Sequence, residues 1–368
     1  MNNKPRTHEL RALEDPLVAP DPVVVTMRMQ HHAGPSGYDR LADYVGGTRI
    51  ALPERPSLSE RVLMRAFRPW IRANGSQWYH GPQFAGELRA ARCWVGARKP
   101  RVFHFLYGEN SYRYLGHLKR WSSGNAIVCT YHTPAARFRE VVRERAHLAR
   151  VDACIVVSNV QREVFADVLG ADRVHFVPHG VDTDYFKPAE RIPGQPSDDR
   201  QCLFVGSHLR DVASLARAAR ELALTPGVRF VVVTSERHRA LFEGLANVEF
   251  RTRVSDSELL SLYQQSDLFV MPLIDCTANN GLLEAMACGL PLVTTDLPGV
   301  RDYVDEEGAV LVPMQDVDGL VQAVQSVLGD ELRRRRMARA CRVRAEALRW
   351  ENVAQAVRGV YAQALGQR

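Results

Sequence analysis

The sequence predicts an α/β protein of two domains, each built on a parallel sheet, and three observations carry that prediction. The chain has 368 residues, enough for two domains of ordinary size. Short apolar, β-prone runs alternate along it with helical segments, the pattern of parallel strands buried on both faces. Residues 267–304 read as strand, polar loop, short helix, strand and a second loop, which is half of a nucleotide-binding α/β unit.

In chain order, residues 1–21 are polar, proline-bearing and aperiodic, and are expected to form a mobile leader. The first strand is expected at 23–27, followed by a small-residue turn (Gly34, Ser36, Gly37) and a helix from Tyr38. Glycines in such a turn let the backbone approach a ligand. Residues 57–73 place Arg61, Arg65, Arg68 and Arg72 on one helical stripe. Val62, Leu63, Ala66, Phe67, Trp70 and Ile71 form the other, with a break at Pro69. Such a helix either packs its apolar face on the sheet or docks on an anionic membrane surface.

Further strands are expected at 102–106, ending in YGEN, at 126–131, ending at His132, and at 152–157 and 174–178, with a helix at 160–169. Residues 187–200 carry three prolines and read as a linker. The second domain opens with a strand at 202–205 and the loop GSHLRD, continues with strands at 228–233 and 247–250, and has a helix at 256–265. Helices at 316–328 and over the Arg-rich 331–365 close the chain, with Trp350, Val353, Val357 and Val360 at helical spacing.

The chemistry concentrates in 267–304. Between strands at 268–271 and 291–295, residues 275–280 form a loop at a strand's carboxyl end, where open parallel sheets hold ligands. The helix that follows, 279–288, points its free N–H groups at that ligand. Glu284 lies about one turn into it, where a carboxylate can accept hydrogen bonds from both hydroxyls of a ribose.

GLLEAMACGLPLVTTDLPGVRDYV, residues 281–304, resembles the signature of the retaining glycosyltransferases of family 4. VPHGVDTDYFKPAE is similar to the family's inter-domain motif, and CTYHTP to the strand end that carries a cleft histidine. The resemblance implies the GT-B fold, two facing Rossmann-like domains with parallel sheets and a cleft between them. It divides the chain into leader 1–21, acceptor domain 22–186, linker 187–200, donor domain 201–345 and a C-terminal helix, 346–368, that crosses back. It implies a hexosyltransferase that uses a nucleotide sugar, retains anomeric configuration, and needs neither cofactor nor metal. The acceptor would be a hydroxyl of a glycan, lipid-linked or small-molecule compound.

By the same resemblance His132, Arg210 and Glu284 are the catalytic residues. Gly37, Gly206, Ser207, His208, Arg253, Asp275, Cys276, Asn279, Asn280, Gly281 and Leu282 bind the donor. Two departures stand out. The family's first glutamate falls on Cys276, with Asp275 beside it, and no lysine follows Lys187, so Arg210 is left to neutralise the diphosphate. These departures keep two alternatives open: a non-catalytic nucleotide- or glycan-binding protein of the same fold, and a sugar-nucleotide epimerase.

Composition narrows the rest. No apolar run reaches the roughly 20 residues of a membrane span, and 1–22 lacks a signal-peptide segment, so a cytoplasmic protein, peripheral at the plasma membrane's inner face through 57–73, is expected. Seven cysteines without C-x-x-C spacing argue for thiols rather than disulfides or a metal site. His31 and His32, being adjacent, project apart and make a poor metal pair; Asp182-Thr183-Asp184 reads as a turn rather than a metal motif. The tract 333–336 reads as a solvated face, and without aromatic stacking partners it does not suggest nucleic acid.

Overall fold

The structure, a computed structural model, describes residues 21–29, 34–53, 55–73, 76–121, 124–189 and 200–366. Most of the expected leader, the His31–His32 pair and most of the expected linker lie outside the described residues.

Two six-stranded sheets make up the chain. The first holds β1 (Val23–Thr26), β2 (Thr48–Ala51), β3 (Val102–Phe105), β4 (Ala126–Tyr131), β5 (Ala153–Val156) and β6 (Val174–Phe176), in the order β2-β1-β3-β4-β5-β6. The second holds β7 (Arg200–Val205), β8 (Val228–Val233), β9 (Val248–Arg251), β10 (Leu268–Met271), β11 (Leu292–Thr295) and β12 (Ala309–Val312), in the order β12-β11-β10-β7-β8-β9. Every pairing is parallel. Both orders reverse beside their first strand, and loops at such reversals form the ligand crevice of open α/β sheets.

Alternation along the strands builds the first domain's core on both faces. Val23, Val25, Phe103, Phe105, Ile127 and Cys129 pack on one side; Val24, Val102, Ala126 and Val128 pack on the other. The second face is completed from the far end of the chain, by Trp350, Val353, Val357, Val360 and Tyr361 of the helix Trp350–Gly366.

The Arg-rich segment 331–365 is helical in two pieces. Glu331–Ala347 ends at Leu348, whose carbonyl accepts the N–H of Val181 at 3.0 Å, and the chain restarts at Trp350. The tract 333–336 is not wholly solvated: Arg334 is buried and donates to the Leu328 carbonyl. Residues 57–73 also divide, into Leu58–Ala66, capped by Ser57 and Glu60, and Arg68–Arg72, with Pro69 in its first turn. Of the expected apolar face only Ile71 is buried; Val62 and Trp70 are each 62% exposed.

Trp350 is 1% exposed and lies so close over Gly180 that a Cβ there would meet its ring at 2.4 Å. Trp350→Ala should therefore cost about 3–5 kcal/mol in urea denaturation. A loss below about 1 kcal/mol would show that the returning helix is not part of the first domain's core.

Candidate active site

The carboxyl ends of the two sheets face each other across a cleft of about 930 Å³. Contacts join its sides. The Gly34 N–H donates to Asp256 Oδ2 at 2.7 Å, and Thr277 Oγ1 to the His132 carbonyl at 2.9 Å. Asp302 accepts from Ser158 Oγ at 2.7 Å and from the Asn159 N–H at 2.8 Å. The His179 N–H donates to Tyr303 Oη at 2.9 Å.

Glu284 sits in the helix Asn280–Ala287, whose N-cap Asn279 accepts the N–H of Leu282 through its side chain. The Glu284 carboxylate is 5% exposed and has no ion pair among the described residues. Two hydroxyls hold it instead: Ser36 Oγ donates to Oε1 at 2.5 Å, and Tyr263 Oη to Oε2 at 2.8 Å. Burial pushes its carboxyl above the ordinary value, and these two bonds oppose that shift.

Arg210 lies in the same wall. Its guanidinium donates to Asn279 Oδ1 at 3.0 Å and to the His208 carbonyl at 2.8 Å. It makes no pair with its neighbour Asp211, which caps the helix Val212–Glu221 through the Ser214 N–H. Gly206 has φ +100°, a conformation that favours glycine, and a Cβ there would crowd the guanidinium at 3.3 Å. A fixed cation beside a helix start is suited to phosphate oxygens.

His132 follows β4 on the facing side. Its Nε2 lies 2.9 Å from the Leu106 carbonyl, which can only accept, so Nε2 carries the proton. Burial pushes this imidazole down to about 4, leaving it neutral with Nδ1 unprotonated. Glu109 underpins it: Oε1 accepts the His132 N–H at 2.9 Å, the Thr133 N–H at 3.1 Å and Thr133 Oγ1 at 3.2 Å.

The structure brings most of the sequence-derived residues to one cleft: His132, Gly206, Ser207, His208, Arg210, Asp275, Cys276, Asn279, Asn280, Gly281 and Glu284 all line it. Three are placed elsewhere. Gly37 is buried behind the cleft in a small cavity against Glu284, because the turn it belongs to is packed by Ser36. Leu282 turns its side chain into the second domain's core and offers only its backbone. Arg253 stands exposed after β9, with φ +52° at its own Cα, and does not line the cleft. Asp182 folds a turn, accepting the N–H groups of Asp184 and Tyr185. Sequence reasoning misses Tyr263, Trp78, Glu109 and His179; the carboxylate of YGEN at a strand end was the available signal for Glu109.

Paired parallel domains facing each other across a cleft, with a buried carboxylate and a guanidinium at one helix start of the second, define a GT-B protein. Residues 199–330 match the family described as Glycosyl transferases group 1, and residues 25–185 match Glycosyltransferase Family 4. The chain belongs to this family of glycosyltransferases. It is 27% identical over 290 residues to a phosphatidyl-myo-inositol mannosyltransferase of Mycolicibacterium smegmatis, covering 74% of each chain. It is 30% identical over 272 residues to a D-inositol 3-phosphate glycosyltransferase of Xylanimonas cellulosilytica, covering 66% of this chain and 64% of that one. Among solved structures, sucrose-phosphate synthase of Thermosynechococcus elongatus shares the fold, with TM-score 0.66 and 20% identity over 95% of this chain and 100% of that one.

The buried acid and bases set a pH dependence. Burial raises the Glu109 carboxyl from 4.5 to about 7, so its protonated form favours the fold; that contribution is complete below 4.5 and is lost as pH rises through about 7. His132 and His179, pushed from 6.5 to about 4 and about 3, contribute above 6.5 and lose it as pH falls through those lower values. Between pH 5 and 8 the wild type should therefore lose up to about 3 kcal/mol more stability in urea than Glu109→Gln. Parallel pH profiles of the two proteins would refute this assignment.

Proposed function

We propose that the protein transfers a hexose from a nucleoside-diphosphate sugar to a hydroxyl of a glycan, lipid-linked or small-molecule acceptor, with retention of anomeric configuration. The observation that carries this reading is Glu284, a buried carboxylate satisfied only by hydroxyls, opening on the same cleft as Arg210. A ribose diol presents the same kind of O–H donors as Ser36 and Tyr263. A diphosphate lying along the Asn280–Ala287 helix start would meet free N–H groups and the Arg210 guanidinium.

The chemistry then rests on charge. As the bond between anomeric carbon and diphosphate lengthens, negative charge grows on the departing oxygens, and a fixed guanidinium with oriented N–H donors stabilises it. The acceptor hydroxyl approaches from the first domain, where the neutral His132 presents Nδ1. The two relatives are named for inositol-containing substrates, which supports a hydroxyl acceptor, lipid-borne or small.

We also propose that residues 57–73 dock on an anionic membrane surface. Leu58, Val62, Phe67 and Trp70 remain exposed beside Arg61, Arg65, Arg68 and Arg72. The buried Glu60, paired with Arg89 at 2.7 Å, fixes this element to the helix Gly81–Val95. An apolar strip flanked by arginines is the composition of an interfacial helix. Among the described residues no helix is long and apolar enough to cross a membrane.

Thermal-shift screening against UDP, GDP and ADP should show stabilisation by one of them, and a nucleotide-sugar panel should show release of that diphosphate. Arg210→Ala should lower kcat by about 10²–10³-fold with little change in donor affinity. Glu284→Ala should abolish transfer, and wild-type activity in either variant would remove that residue from the reaction. The protein should float with anionic vesicles, whereas a charge-reversal variant at Arg61, Arg65 and Arg68 should not; equal flotation of the two rules out docking by this element.

A further inference from the structure

We propose that the turn after β3 is a recognition site for an uncharged polyol ring, the hydroxyl-rich end of the acceptor. This rests on the glycosyl-transfer reading above and adds the class of acceptor. The turn, Tyr107 to Asn110, lines the cleft on the first domain's side. Glu109 and Asn110 are 5% and 7% exposed. Glu109 Oε1 is saturated by the His132 and Thr133 donors, whereas its Oε2 is buried and has no hydrogen-bond partner. Asn110 Oδ1, one residue on, is in the same condition.

Above about pH 7, where Glu109 is ionised, two adjacent buried acceptors without donors are costly, since each forgoes hydrogen bonds it had in water. Their shared cavity is large enough to admit a ligand that restores those bonds, and the missing partners are donors. Neighbouring ring hydroxyls supply two O–H donors; an ionised carboxylate or phosphate group supplies none. Trp78 lines the same end of the cleft and offers a flat apolar face for the C–H side of a ring.

Charge points the same way. Although the chain carries a formal net charge of +6, the described residues that the first domain contributes to the cleft include neither Arg nor Lys. The cleft's cations, Arg210 and Arg237, stand on the second domain. Above about pH 7 an anionic group placed at the turn would face the ionised Glu109 with no counter-charge among the described first-domain residues of the cleft, so the site then selects against a phosphorylated ring. The recognised chemistry is thus a neutral polyol, carried either by a free sugar or cyclitol or by the terminal ring of a lipid-linked compound.

Saturation-transfer NMR on the full chain at pH 8 tests this with myo-inositol, methyl α-glucoside and methyl α-mannoside, each beside a phosphate ester of the same ring, and with octyl α-mannoside as the lipid-borne form. The expected result is transfer to the ring protons of at least one neutral polyol. Affinity should fall at least tenfold in Glu109→Gln, which keeps Oε1 but replaces the free acceptor by an N–H donor, and in Asn110→Ala. The nucleotide thermal shift should be unchanged in both. Binding of methyl and octyl forms alike supports recognition of the ring itself, and binding of the octyl form alone supports a lipid-borne ring. Tighter binding of a phosphate ester, or unchanged affinity in both variants, overturns the proposal. If Glu109→Gln does not fold, Asn110→Ala decides. A wild type that responds to nucleotide but binds none of these rings overturns the acceptor class alone; one that binds a ring but no nucleotide overturns the transfer reading and leaves the polyol site standing.

Discussion

The cleft is organised around a carboxylate that two domains bury together. Glu284 reaches solvent only at the cleft, and no cation approaches within ion-pair distance among the described residues. A charge so placed must be hydrogen-bonded or lose its ionisation. The second domain supplies one hydroxyl, from Tyr263, and the first supplies the other, from Ser36. One of the contacts between the domains is therefore also part of the hydrogen bonding of the site. A diol ligand at this point would exchange with Ser36 for the carboxylate's lone pairs, so ligand binding and the packing of the 34–37 turn are coupled through one oxygen.

Around that carboxylate the two walls differ in electrical character. The second domain brings the guanidinium of Arg210, tied to backbone carbonyls and to the helix N-cap, so its position is fixed before any ligand arrives. Such preorganisation spares reorganisation when charge develops on a leaving group. The first domain brings neutral histidines and acceptor oxygens. Substitution of arginine for the expected lysine also changes the geometry. A guanidinium cannot swing as an ammonium can, and here three acceptors occupy part of its fork.

Much of the fold was legible because buried parallel strands leave continuous apolar runs: β4, β8 and β10 fall on the residues expected of them. So does the helix Asp256–Gln265, which Ser255 caps. The site was legible where function and backbone coincide, as in the loop and helix start at 275–284. What depended on distant partners was not. Nothing local shows that Ser36 would meet Glu284, 248 positions away. Nothing local shows that Asp211 would turn inward to cap its helix and leave Arg210 to Asn279. At the break after Ala347 the Leu348 carbonyl accepts the Val181 N–H, a partner distant in sequence that nothing local announces. The spacing of 57–73 gave an amphipathic helix, but whether its apolar side was covered depended on what packed beside it.

The departure at the first-glutamate position has a physical resolution. Cys276 is buried, and burial pushes its thiol up to about 12, so it brings no charge to the cleft even though Arg210 lies near. Asp275 is only half-buried, and its Oδ1 accepts the Cys276 N–H at 2.7 Å, which fixes the side chain by its own backbone and leaves the other oxygen toward the cleft it lines. A carboxylate is thus present at this end of the cleft, one residue earlier and held by a local bond. The departure therefore places the carboxylate at this end of the cleft on the half-buried position 275 rather than the buried position 276, while Glu284 and Arg210 keep the contacts described above.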